Sequence, residues 1–266
     1  LNVLKCFLAT LIPGIILSIF LIIINFVLLR KEKNILLNDL PARFIPTFAQ
    51  KTWVAAPALF MPIIILGGIY GGIMTPTEAA GLAVVYAIPV GFFIYRGLTL
   101  KVFFEALKDS AITIGVVMVM IFMVLIVSRF LIFEDIPGLA EELIYSISEN
   151  PVIVLLMINL VMILIGMLMD DISGIILCGS LLLPLAEGAG MDPIHFAAVL
   201  GVNLGMGNIT PPTAPLLYLG VRVTGVPIQK MLWPTIFLIL FAWFPTLVLT
   251  TFIPEISLWL PELLLG

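Results

Sequence analysis

Residues 6–29 carry no charged side chain, and apolar runs of similar length recur down the chain. About 20 apolar residues cross the hydrocarbon core of a bilayer, so each run is long enough for one crossing. The runs are continuous. That pattern suits helices, whereas a barrel alternates over roughly 10-residue segments. With 62% apolar and only 11% charged residues, the chain lacks the polar surface of a water-facing globule. An ordinary cytosolic enzyme, a nucleic-acid binder and a disordered chain are thereby excluded, leaving an all-α integral membrane protein.

Spans are expected at 6–29, 53–73, 79–95, 111–133 and 231–252, with longer, interrupted stretches at 152–186 and 195–221. Residues 34–52 are more polar. Their Leu36, Leu37, Leu40, Phe44 and Phe48 recur near helical spacing, as in an amphipathic helix on the membrane surface. The break Thr75-Pro76-Thr77-Glu78 reads as a helix start, with Thr75 as N-cap, Pro76 at the first position and Glu78 in the first turn. Four regions follow: 1–52, a span plus surface arm; 53–133, scaffold and transport spans; 134–222, the transport region; and 223–266, the last span and an interfacial tail.

Ten of the 12 Lys and Arg residues lie around 30–52, 96–108 and 222–230: Arg30, Lys31, Lys33, Arg43, Lys51, Arg96, Lys101, Lys108, Arg222 and Lys230. The positive-inside rule places these three loops in the cytoplasm. The opposite loops are acidic. The charge alternation also supports the list of spans, since a missed span would scramble it.

Two places put polar or helix-breaking residues at membrane depth. Asp170-Asp171-Ile172-Ser173-Gly174 sits midway through 152–186 and carries no Lys or Arg. It is either the tip of a re-entrant hairpin or a loop between two full crossings; the missing positive charge favours the hairpin. The second is Gly205-Met206-Gly207-Asn208-Ile209-Thr210-Pro211-Pro212-Thr213. Two successive prolines remove two N–H donors and push Thr210 out of the α region, so the helix must open there. Opened carbonyls with Asn and Thr oxygens suit Na⁺, and a half-helix N-terminus suits a carboxylate. Secondary transporters build midplane sites this way, and a hairpin with a broken helix is one half of an inverted repeat. Gly72 to Ala79 and Gly207 to Ala214 share the pattern G-x-x-T-P-x-x-A, too short to establish a repeat.

The run Gly67-Gly68-Ile69-Tyr70-Gly71-Gly72-Ile73-Met74-Thr75-Pro76-Thr77-Glu78-Ala79-Ala80 resembles the signature of the large membrane subunit of TRAP (tripartite ATP-independent periplasmic) transporters. So do Gly166-Met167-Leu168-Met169-Asp170, Pro184-Leu185-Ala186, Asp192-Pro193-Ile194-His195-Phe196, and Asn203-Leu204-Gly205 leading into Thr210-Pro211-Pro212. The order matches the second half of that subunit, and the chain starts with Leu, so a C-terminal half is expected. The resemblance implies a Na⁺-coupled, elevator-type importer of organic anions, carboxylates or sialic acids, in the bacterial inner membrane. Its partners would be a periplasmic solute-binding protein, a small membrane subunit and the N-terminal half of the large subunit. The cation site would involve Asp170, Asp171, Ser173, Gly174, Gly205, Asn208 and Thr210, and the substrate would meet Pro211, Pro212 and Thr213. Asp171 stands where the family often has Pro, and Pro215 adds a third proline after the break.

Plainer roles stand beside these. Asp170 and Asp171 are costly at membrane depth, yet either could N-cap the half-helix that follows. The glycines also permit close helix packing. Glu78 fits a first-turn charge, and His195 follows a helix-start pattern at the outer interface. Cys6 and Cys178 lie in apolar runs and form no disulfide framework. No Walker loop, zinc spacing or Ser/His/Asp set occurs, so neither an enzyme nor a cofactor beyond Na⁺ is expected. A receptor-independent permease or exchanger of the same broad fold is the alternative reading.

Overall fold

The computed structural model describes residues 2–30, 44–212 and 214–266. Among these every regular element is a helix, and seven helical stretches are long and apolar enough to cross a membrane. Residues 34–43 of the expected surface arm lie outside the described residues. Residues 44–52 run without interruption into the second span.

Residues 32–116 form one compact unit. It holds α3 (Phe44–Tyr70), α4 (Pro76–Pro89) and the beginning of α5 (Leu100–Phe133). Gly72, at φ +66°, closes α3 in the left-handed region that suits glycine. Thr75 then caps α4: its Oγ1 accepts the Glu78 N–H at 3.3 Å, and Glu78 Oε2 accepts the Thr75 N–H at 2.8 Å. This reciprocal capping accounts for Thr75, Pro76 and Glu78 as helix-starting residues. Tyr95 Oη accepts the Ala58 N–H and donates to the Val54 carbonyl, the two groups that a regular turn of α3 joins directly. Helix α5 is unbroken over 34 residues, so the short piece expected at 101–109 is its first turns. Nothing between Lys101 and Phe133 terminates a helix except the tolerated Gly115.

Residues 1–31 and 117–266 form the other unit. Its elements are α1 (Val3–Ala9), α2 (Leu11–Leu29), the rest of α5, α6 (Ile136–Ile147), α7 (Pro151–Leu168), α8 (Asp171–Gly188) and α9 (Pro193–Gly207). They continue with α10 (Pro215–Thr224), α11 (Ile228–Leu238), α12 (Phe244–Phe252) and α13 (Glu255–Leu265). Helices α1 and α2 together make the expected first span, Val3–Leu29. Pro13 has no N–H for the Ala9 carbonyl, and the ladder breaks at Thr10. Helices α11 and α12 are one span joined by a π-helical turn, Ile239–Trp243, just before Pro245, which also lacks an N–H.

The core of this unit lies where α7, α8 and α9 pack together, around Ile158, Met162, Cys178, Leu182, Val199 and Leu204. A polar cluster runs through it. Asn203 Nδ2 donates to Asn159 Oδ1 at 2.6 Å and to the Val199 carbonyl at 3.2 Å. Asn159 Nδ2 donates to the Leu155 carbonyl at 2.8 Å and to Thr251 Oγ1 at 3.2 Å. Asn159→Leu leaves the Asn203 amide only its bond to the Val199 carbonyl in an apolar core and is expected to cost about 1–2 kcal/mol, at the upper end for hydrogen bonds between membrane helices. Asn159→Leu with Asn203→Leu should recover part of that loss; unfolding midpoints of the purified variants check both. His195 is buried, 2% exposed, with Nε2 2.6 Å from the Thr250 carbonyl. A carbonyl can only accept, so Nε2 carries the proton.

Candidate functional site

Helix α7 ends at Leu168, and α8 returns from Asp171 after an extended Met169-Asp170 turn. Asp170 is the N-cap of α8. Its Oδ2 accepts the Ile172 N–H at 3.1 Å and the Ser173 N–H at 3.4 Å. Those bonds satisfy donors that a helix start leaves open, and the N-terminal end of the helix dipole favours the carboxylate. Asp171 points elsewhere: its Oδ1 accepts from Asn208 Nδ2 at 2.7 Å. Asn208 is the C-cap of α9 and only 8% exposed. The hairpin turn and the helix break, 37 residues apart in sequence, are thus joined directly.

The glycines explain how two helix ends come so close. A Cβ on Gly207 would lie 2.6 Å from both Cα and O of Gly166, so α7 and α9 meet backbone to backbone. A Cβ on Gly174 would lie 2.8 Å from Leu204 Cδ2, and one on Gly205 would lie 3.1 Å from Trp243 Cζ2. Ser173 is buried beside Gly174.

Past Gly207 the ladder tightens and then opens. The Met206 carbonyl accepts both the Ile209 N–H at 3.2 Å and Thr210 Oγ1 at 2.7 Å. Thr210 donates its N–H to the Gly207 carbonyl at 2.9 Å, and the Asn208 carbonyl accepts the Leu216 N–H at 3.2 Å. Pro211 and Pro212 follow, joined by a cis peptide, and α10 starts at Pro215 after a left-handed Ala214. Thr213 lies outside the described residues. The two G-x-x-T-P-x-x-A segments therefore differ: Thr75 caps the helix after it, while Thr210 bonds back to the helix before it. A hollow of about 460 Å³ adjoins the turn, lined by Met120, Val124, Leu168, Met169, Asp170, Ser173 and Pro215.

Of the residues expected at a cation site, Asp171, Asn208, Gly207's neighbours Gly205 and Thr210, and the turn residues Asp170, Ser173 and Gly174 all fall at this junction. Thr75, Pro76, Thr77 and Glu78 belong to the other unit and build a helix start. Sequence reasoning passed over Asn159 and quoted Asn203 only within a motif, with no role. Each is a lone amide inside an apolar run, and that was the available signal.

A family model described as the DctM component of tripartite ATP-independent periplasmic transporters matches residues 1–256. The chain is 33% identical to the sialic acid TRAP transporter large permease protein SiaM of Vibrio cholerae, over 98% of this chain and 60% of that protein. It is 32% identical to the C4-dicarboxylate TRAP transporter large permease protein DctM of Pseudomonas aeruginosa, over 97% of this chain and 60% of that protein. It is also 32% identical to the isethionate TRAP transporter permease protein DctMQ of Oleidesulfovibrio alaskensis, over 96% of this chain and 40% of that protein. The chain thus spans between 40% and 60% of the length of these relatives. The helical membrane architecture and the match across nearly all its length agree: this chain belongs to the DctM family of tripartite ATP-independent periplasmic transporters.

Proposed function

We propose that this chain carries one half of the transport site of a Na⁺-coupled importer that moves organic anions by an elevator motion across the bacterial inner membrane. A periplasmic solute-binding protein would deliver the anion. A small membrane subunit and the N-terminal half of the large subunit would complete the machine. The observation that carries the reading is the Asp171–Asn208 hydrogen bond, which ties a hairpin turn to a helix break beside a hollow. The relatives' names speak of sialic acid, C4-dicarboxylate and isethionate, all of which are anions.

The chemistry of the junction gives the coupling a physical basis. Asp170 and Asp171 repel an anion that approaches the turn. A Na⁺ held by Asp171, the Asn208 side chain and carbonyls of the break removes that repulsion. The substrate carboxylate would then bind at Pro211-Pro212-Thr213, next to the N-terminal end of α10, whose dipole favours an anion. Na⁺ binding drives transport only if it favours one state of the scaffold over the other, and closing the turn onto the break is such a difference. Asp170, whose Oδ2 is committed to capping, supplies charge more than ligation. The turn between α7 and α8 lacks the positive charges of the inner loops, which supports a hairpin whose tip stays within the protein.

The test is uptake into proteoliposomes by the full-length subunit with its small partner and purified receptor, against a panel of carboxylates and sulfonates. Uptake is expected to need both an inward Na⁺ gradient and the receptor. Receptor-independent uptake would replace this reading with an ordinary permease.

A further inference from the structure

We propose that Trp243 is a positioning residue for the ion site: it holds the last turn of α9 in place from the side opposite the hairpin. This rests on the Na⁺ reading of the junction. Trp243 ends the π-helical turn Ile239–Trp243 of the last span. Its indole Nε1 donates to the Val202 carbonyl at 2.9 Å. The same edge of the ring covers Gly205, where a Cβ would lie 3.1 Å from Cζ2. One side chain therefore grips α9 twice, at Val202 and one turn later at Gly205. On its other side α9 is held by Gly166 against Gly207 and by Gly174 against Leu204.

The grip falls on a vulnerable element. Helix ends fray, and α9 stops at Gly207, past which the Met206 and Gly207 carbonyls keep only tightened turn bonds to Ile209 and Thr210. An ion that had to order those carbonyls on binding would lose affinity by the cost of doing so. A π-helical turn is rare, and within α-helices it recurs at functional sites. Here the wider turn is what ends in Trp243, the residue that reaches α9. Replacing Gly205 with a larger residue would push the ring away, which gives the glycine a reason beyond helix packing.

The experiment is the Na⁺ dependence of uptake by the complete transporter carrying Trp243→Phe, which removes the indole N–H and the ring edge over Gly205. Half-saturating Na⁺ is expected to rise roughly tenfold, the scale of one net hydrogen bond. The maximal rate at saturating Na⁺ should stay within about twofold, because the anion contacts are untouched. Na⁺-induced change in tryptophan fluorescence should shrink in Trp243→Phe and persist in Trp233→Phe and Trp259→Phe, whose rings are 69% and 55% exposed. An unchanged half-saturation in Trp243→Phe, with Asn208→Ala raising it, overturns the proposal alone. A lowered maximal rate and lower thermal stability at unchanged half-saturation also overturn it, since that is plain structural damage. Uptake by the unaltered transporter that ignores Na⁺ overturns the Na⁺ reading itself, and this proposal falls with it.

Discussion

Gly207→Ala is expected to be the most damaging single-methyl substitution at the junction, abolishing uptake and destabilising the fold by about 2 kcal/mol or more. The added Cβ would come within 2.6 Å of the Gly166 Cα and carbonyl oxygen. Neither atom belongs to a side chain that can rotate away, so α7 and α9 must separate. Separation pulls the hairpin turn from the break and stretches the 2.7 Å Asp171–Asn208 bond. Overpacking a well-filled core costs typically 1–3 kcal/mol even where side chains can yield, and here they cannot. The comparison with two neighbours makes the prediction sharp. Gly174→Ala meets the Leu204 Cδ2 methyl at 2.8 Å, and Gly205→Ala meets the edge of the Trp243 ring at 3.1 Å. Both neighbours are side-chain ends that can move by a few tenths of an ångström. Each of these variants should therefore keep measurable uptake and lose less in unfolding midpoint. Equal tolerance at all three glycines would mean that the helices do not meet backbone to backbone.

The sequence revealed the architecture where physics is local. Span length, charge alternation and the Thr75 capping box need only neighbours along the chain, and the structure carries each of these helices. It also revealed where helices break, because Pro211-Pro212 cannot continue one and Asp170 suits an N-cap. What each polar residue does at those breaks was not legible. Asp170 and Asp171 are adjacent and chemically identical, yet one caps α8 and the other meets Asn208; only the direction in which α8 leaves the turn separates them. Thr75 and Thr210 share a motif and bond in opposite directions along the chain. The Asn159–Asn203 pair needs the packing of α7 on α9 before its two amides can find each other. The π-helical turn at Ile239–Trp243 left no periodic signature, since one extra residue in an apolar span changes no hydropathy. Nor could the spacing show that α5 continues unbroken from Leu100, for the polar first turns end without any helix-breaking residue.

Breaking the Asp171–Asn208 bond is expected to cut Na⁺-driven uptake at least tenfold, and the double variant should be little worse than either single one. Hydrogen bonds to charged groups contribute about 1.5–3 kcal/mol, and 1.4 kcal/mol is a factor of ten. Asn208→Ala leaves the Asp171 carboxylate without its donor at the mouth of the break. Asp171→Ala removes the charge and leaves a nearly buried amide unpaired. If the two act as one unit, the second substitution has little left to remove, and the cycle gives a coupling of about 1–2 kcal/mol. Independent roles would give additive losses instead. Asp170 supplies the contrast. Asn caps a helix about as well as Asp, so Asp170→Asn should keep the fold and the α8 cap. With Asp170 contributing charge rather than ligation, its half-saturating Na⁺ should rise less than in Asp171→Asn. An equal rise in the two variants would make Asp170 a direct ligand, and the cap at Ile172 and Ser173 would then be shared with the ion.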